Sequence, residues 1–86
     1  LGAEFAPVSD KEKAKLGIEG GLRIVRLREG KLRSIGIKEG FVITHIGDKP
    51  VDSVEDLSSL LKADRRGFLI EGVYPNGLRA YYGMGI

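Results

Sequence analysis

The sequence predicts a small α+β domain, a partly open barrel or sandwich of five to six short strands flanked by one long helix and one or two short ones. Three observations carry that expectation. The chain has 86 residues, enough for one hydrophobic core and too few for two. Thirteen of them are glycine, and they follow no G-x-y period, so they mark tight turns rather than a fibre or a flexible linker. Apolar residues fall in short strand-like runs, with one clear helical stripe from Val54 to Leu61.

The elements follow in order. Leu1 to Val8 alternates in part and reads as a strand; Pro7, lacking an N–H, requires one side of it to face solvent or a bend. Ser9 or Asp10 caps one or two helical turns to Leu16, stopped by Gly17. After the Gly20-Gly21 turn, Leu22 to Arg28 is a strand whose alternation slips between Ile24 and Val25, the mark of a bulge or of a strand covered on both faces. Lys31 to Ile35 makes a helical turn with Leu32 and Ile35 on one side, ended by Gly36. Phe41 to Ile46 is the most strand-like run, and Gly47 to Val51 is turn chemistry leading out of it. The long helix opens at Ser53, where Asp56 three positions later completes a capping box. Val54, Leu57, Leu60 and Leu61 form its apolar stripe, and Lys62 suits its C-terminal dipole. Phe68 to Tyr74 and Leu78 to Met84 are the arms of a hairpin closed by Pro75-Asn76-Gly77, with Asn-Gly supplying positive φ.

Composition removes most function classes. Fourteen Lys and Arg against twelve Asp and Glu leave a net charge of +2, and the three Phe and three Tyr rarely sit among the cations, unlike a nucleic-acid surface. The absence of cysteine excludes disulfides, CxxC redox chemistry and thiolate metal sites. No apolar run approaches the roughly 18 residues of a membrane-spanning helix. The chain opens at Leu1 without a Met and reads as one domain, residues 1–86, excised from a larger protein.

Chemistry-bearing groups are equally sparse. The only base for nucleophilic catalysis is His45, placed mid-strand, and no serine has a nucleophile-elbow context. One histidine and scattered carboxylates give no metal-ligand spacing, and no cofactor is expected. Glu55 and Asp56 are adjacent on a helix and serve as N-terminal charges rather than a catalytic pair. Lys11, Lys13 and Lys15, like Arg23, Arg26 and Arg28, read as solvated faces. By this inventory the domain is not an enzyme. What remains is binding through backbone: an open sheet edge that accepts an extended peptide, with a helix supplying pockets and a glycine loop whose N–H groups hold a carboxylate.

The run from Gly36 to Val51 (GIKEGFVITHIGDKPV) resembles the PDZ signature of a Gly-apolar pair, a further Gly, an aliphatic strand, a tight turn and Val. Helix 53–62 follows at the family's spacing, and the resemblance covers nearly the whole chain. The element order, with loop and strand first and a hairpin last, is similar to PDZ domains of bacterial Do-type (DegP/HtrA-like) serine proteases. That resemblance implies a non-catalytic module, C-terminal in its parent, which captures extended or C-terminal peptide segments by strand addition. It implies Leu1, Gly2 and Ala3 as the carboxylate loop and start of the binding strand, with Glu4 and Phe5 continuing it. Val54, Ser58 and Leu61 would line the facing helix, leaving Leu57 and Leu60 for the core. It also implies a bacterial periplasmic or envelope location and a parent protease with its catalytic domain elsewhere. The alternative it allows is an assembly domain that docks on a neighbouring subunit, with Tyr74, Tyr81 and Tyr82 as anchors. Two departures from the family pattern lie away from the groove: Phe41 stands where Asp is usual, and Lys31-Leu32 where Pro-Ala is usual. The third is that the chain opens within the carboxylate loop.

Overall fold

A computed structural model describes residues 2–63 and 67–84. Among them the chain forms one antiparallel sheet: β1 (Ala3–Pro7), β2 (Leu22–Leu27), β3 (Val42–Ile46), β4 (Lys49–Pro50), β5 (Phe68–Val73) and β6 (Arg79–Met84). The spatial order is β1-β2-β3-β5-β6, with β4 paired to β3. The helices are α1 (Asp10–Leu16), α2 (Lys31–Ser34) and α3 (Val54–Ala63).

The apolar run Phe41-Val42-Ile43 does not alternate because both faces of β3 are covered. Phe41 and Ile43 join the main core with Ile24, Leu32, Leu57 and Ile70, all fully buried. Val42 points the other way, into a smaller cluster with Val8 and Val73 that Leu16 and Ile18 cover.

The phase slip in the second strand is a bulge. Glu4 pairs with Arg26 and Phe5 with Ile24, so Val25 is the extra residue, and it is exposed. The first helix is capped as expected, the Ser9 hydroxyl accepting the Glu12 amide. The capping box of α3 is modified: the Ser53 hydroxyl accepts the Asp56 amide at 3.1 Å, but the Asp56 carboxylate accepts the amide of Asp52 rather than that of Ser53. Two turns differ from expectation. Segment 47–51 contains a short strand, because Lys49 and Pro50 fold back on Ile46 and His45. In the hairpin turn only Gly77 has positive φ, and its amide donates to the Tyr74 carbonyl. Pro75 and Asn76 thus hold the central positions of an ordinary turn followed by a left-handed glycine.

Tyr74 and Tyr82 are not surface anchors, as the assembly alternative had them. Their rings pack on buried Phe41, with centroids at 4.8 and 5.4 Å, and their hydroxyls lie 2.6 Å apart. Loss of solvent, then the hydrogen bond and charge of Tyr74, push the Tyr82 hydroxyl up from 10.0 to about 12. A group whose pKa is raised by folding stabilises the fold below its unfolded value and loses that contribution as pH rises through the folded one. The melting temperature should therefore fall between pH 10.0 and about 12, and Tyr82→Phe should flatten that part of a thermal-melt series.

Candidate functional site

β1 is an edge strand, and its hydrogen-bond parity shows which groups are open. The Gly2 carbonyl accepts the Arg28 amide at 2.7 Å, so Gly2 turns its main chain toward β2. By alternation Glu4 and Ala6 do the same. The N–H and C=O of Ala3 and Phe5, and the C=O of Pro7, therefore lie on the free side. Pro7 lacks its donor on the side where no strand asks for one, as its position in the sequence required.

The side chains divide by face. Ala3 and Phe5 pack against the main core. Glu4 points away from it, its carboxylate accepting from Arg28 Nη2 at 2.6 Å with Arg26 Nε at 3.8 Å. Arg23 pairs with Glu12. The three arginines thus share two carboxylates, Glu12 and Glu4, and Arg26 and Arg28 stay solvated as expected, but the pairing is one the sequence did not signal. Nor did it signal Glu39, whose carboxylate takes the Leu27 amide at 2.9 Å just beyond the bulge. Ahead of β1, Gly2 has φ 75 and a Cβ there would lie 2.8 Å from the Glu29 carbonyl oxygen, so the loop requires glycine. Leu1 lies outside the described residues.

α3 contributes to the same core. Leu57 is fully buried, and Leu60 and Leu61 pack on the cluster that Ala3 and Phe5 also touch. Along the face at i, i+4 and i+7, Val54 remains 43% exposed while Ser58 and Leu61 are half-buried. Val54 thus offers partly exposed apolar surface at the start of this helix face.

Away from β1, a concavity of about 570 Å³ is lined in part by Thr44, His45, Asp52, Glu71 and Arg79. The His45 ring meets the Thr44 hydroxyl at 3.0 Å and the Glu71 carboxylate at 3.8 Å, both through Nδ1. A nucleophile and an orienting acid need opposite ring nitrogens, so this arrangement is not a catalytic triad.

A glycine loop, an open edge strand and an amphipathic helix sharing one core, all on an antiparallel sheet, define a PDZ fold. The crystal structure of the HtrA3 PDZ domain bound to a phage-derived ligand (FGRWV) matches it with a TM-score of 0.79, over 99% of this chain and 81% of that one, at 13% identity. No protein-family model matches the chain. In sequence it is 29% identical over 63 residues to probable periplasmic serine endoproteases, DegP-like, of Pseudomonas fluorescens and Pseudomonas fulva. The matched stretch is 73% of this chain and 13% of each of those proteins. The chain thus has the fold of a PDZ domain, and in sequence it is similar to part of the DegP-like serine endoproteases. The fold matched is a non-catalytic module, in agreement with the residue inventory. The relatives' names support a periplasmic location by resemblance.

Proposed function

We propose that this domain binds extended peptide segments, C-terminal ones above all, by strand addition to β1 against the 54/58/61 face of α3. The observation that carries the reading is the free edge of β1, where the main-chain groups of Ala3 and Phe5 lie open beside side chains that share a core with α3. A ligand strand would pair with those groups, and Gly2 with its neighbours would hold the terminal carboxylate. Phe5, Val54, Ser58 and Leu61 would receive its apolar side chains. Glu4 would act indirectly, its pairing with Arg28 fixing the strand and its main chain turned to β2. That the structural neighbour, the HtrA3 PDZ domain, is bound to a phage-derived ligand (FGRWV) supports peptide binding as the role of this fold.

The energetics suit transient capture. Three or four strand hydrogen bonds contribute about 1 kcal/mol net each, and one buried apolar side chain about 2 kcal/mol. A charge-assisted carboxylate contact adds roughly 1.5–3 kcal/mol. Before the cost of association these terms reach only about the micromolar range, so net binding is weaker than that and readily reversed. In this reading residues 1–86 are one domain of a longer periplasmic serine protease, whose catalytic domain lies elsewhere and to which the domain delivers substrate. Titration with a pentapeptide such as FGRWV as free acid and as C-terminal amide tests the binding mode. The acid should bind, and the amide at least tenfold more weakly; equal binding, or none by either, would overturn it.

A further inference from the structure

The sheet has a second open edge. Among the described residues β6 pairs with β5 and with no other strand. The Tyr74 amide donates to the Leu78 carbonyl at 2.8 Å. Leu78, Ala80, Tyr82 and Met84 therefore turn their main-chain groups toward β5, while Arg79, Tyr81 and Gly83 turn theirs outward. Edge strands usually carry a defence against pairing, such as proline, a bulge or central charges. β1 carries Pro7, and its pairing is interrupted by the bulge at Val25. β6 has no proline, its register with β5 is unbroken, and its one charge, Arg79, stands at its first residue. On the outward face, Tyr81 is 57% and Leu69 47% exposed, with Leu69 opposite Gly83 and Glu71 opposite Tyr81.

We propose that β6 is a self-association edge, on which a second copy of this chain pairs antiparallel about a two-fold axis through Tyr81. The outward set is self-complementary: that axis sets Tyr81 opposite its own counterpart and Arg79 opposite Gly83 of the other copy. Each of these pairings exchanges both N–H and C=O. The axis through Tyr81 is also the one that pairs all three outward residues, and charge disfavours the register centred on Arg79. An axis through Arg79 would oppose two arginines, whereas the axis through Tyr81 places each arginine across from a glycine with no side chain. Leu69 and Tyr81 then continue into their counterparts as one apolar stripe. The edge lies at the far end of the sheet from β1, so the peptide groove and this surface are independent.

Sedimentation velocity over a concentration series up to about 1 mM suits the weak dimer that a single strand pairing gives. The mass should rise from one copy toward two, and exchange at the Arg79, Tyr81 and Gly83 amides should slow with concentration. Tyr81→Lys and Tyr81→Glu each place like charges opposite each other, which disfavours pairing. Each variant alone should associate at least tenfold more weakly, while their equimolar mixture should dimerise. The exchange measurement on the unaltered chain stands even if a variant misfolds. A chain that stays monomeric overturns the assignment, as does a dimer that survives in both variants. So does protection of those amides only by a different extended polypeptide.

Discussion

Gly72→Ala will lower the unfolding free energy by about 3 kcal/mol or more, because it forces side-chain volume into a closed contact. Gly72 is buried in β5, and a Cβ there would lie 2.2 Å from the Val42 carbonyl oxygen and 2.4 Å from Phe41 Cζ. The oxygen belongs to the strand that pairs with β5, so it yields only if the β3–β5 ladder opens. The ring yields only by pressing on Tyr74 and Tyr82. For a domain of this size each kcal/mol moves the melting temperature by about 4–8 °C, so a fall on the order of 15 °C is expected. Gly83→Ala is the control, since nothing lies within 4 Å of that position, and it should change stability by less than about 0.5 kcal/mol. A Gly72→Ala protein that melts within a few degrees of the parent would contradict the packing of Phe41 beneath β5.

Ser58→Arg will raise the dissociation constant for a free-acid peptide at least tenfold while leaving the melting temperature nearly unchanged. Ser58 is half-buried, midway along the helix face between exposed Val54 and core-packed Leu61. An arginine there fills the space where the ligand's side chains would lie, yet arginine forms helix at least as readily as serine. Ser58→Ala separates volume from hydroxyl chemistry, and should bind within about twofold of the parent if the site reads shape and apolar surface. Undiminished affinity in the arginine variant would remove α3 from the groove.

Much of this was legible in the residues because local signals agreed with the global fold. Most of the described glycines lie in turns and loops, the Ser53 hydroxyl stands at a helix start, and the phase slip at Val25 reports the bulge seen in the pairing. What stayed hidden depended on contacts far apart in sequence. Glu39 reaches an amide twelve positions away, Glu4 reaches Arg28 across two strands, and Tyr74 and Tyr82 turn inward because Phe41 offers them a buried ring. No spacing rule encodes such meetings. Gly72 illustrates the same limit: within an apolar strand it reads as an ordinary residue, and only the approach of Val42 and Phe41 makes it indispensable. For the candidate site, residue types and helix spacing were visible from the start. Which main-chain groups of β1 lie open became visible only from the Gly2–Arg28 hydrogen bond.

Peptide capture by strand addition requires β1 to be the edge that a ligand joins. The most direct measurement is the same free-acid peptide titration followed amide by amide in a ¹⁵N-labelled domain. Strand addition predicts saturable shifts at Gly2, Ala3 and Phe5 and along Val54, Ser58 and Leu61, with the Ala3 and Phe5 amides newly protected from exchange. Shifts confined to β6 or to the cavity beside His45, with β1 unmoved at saturation, would contradict it.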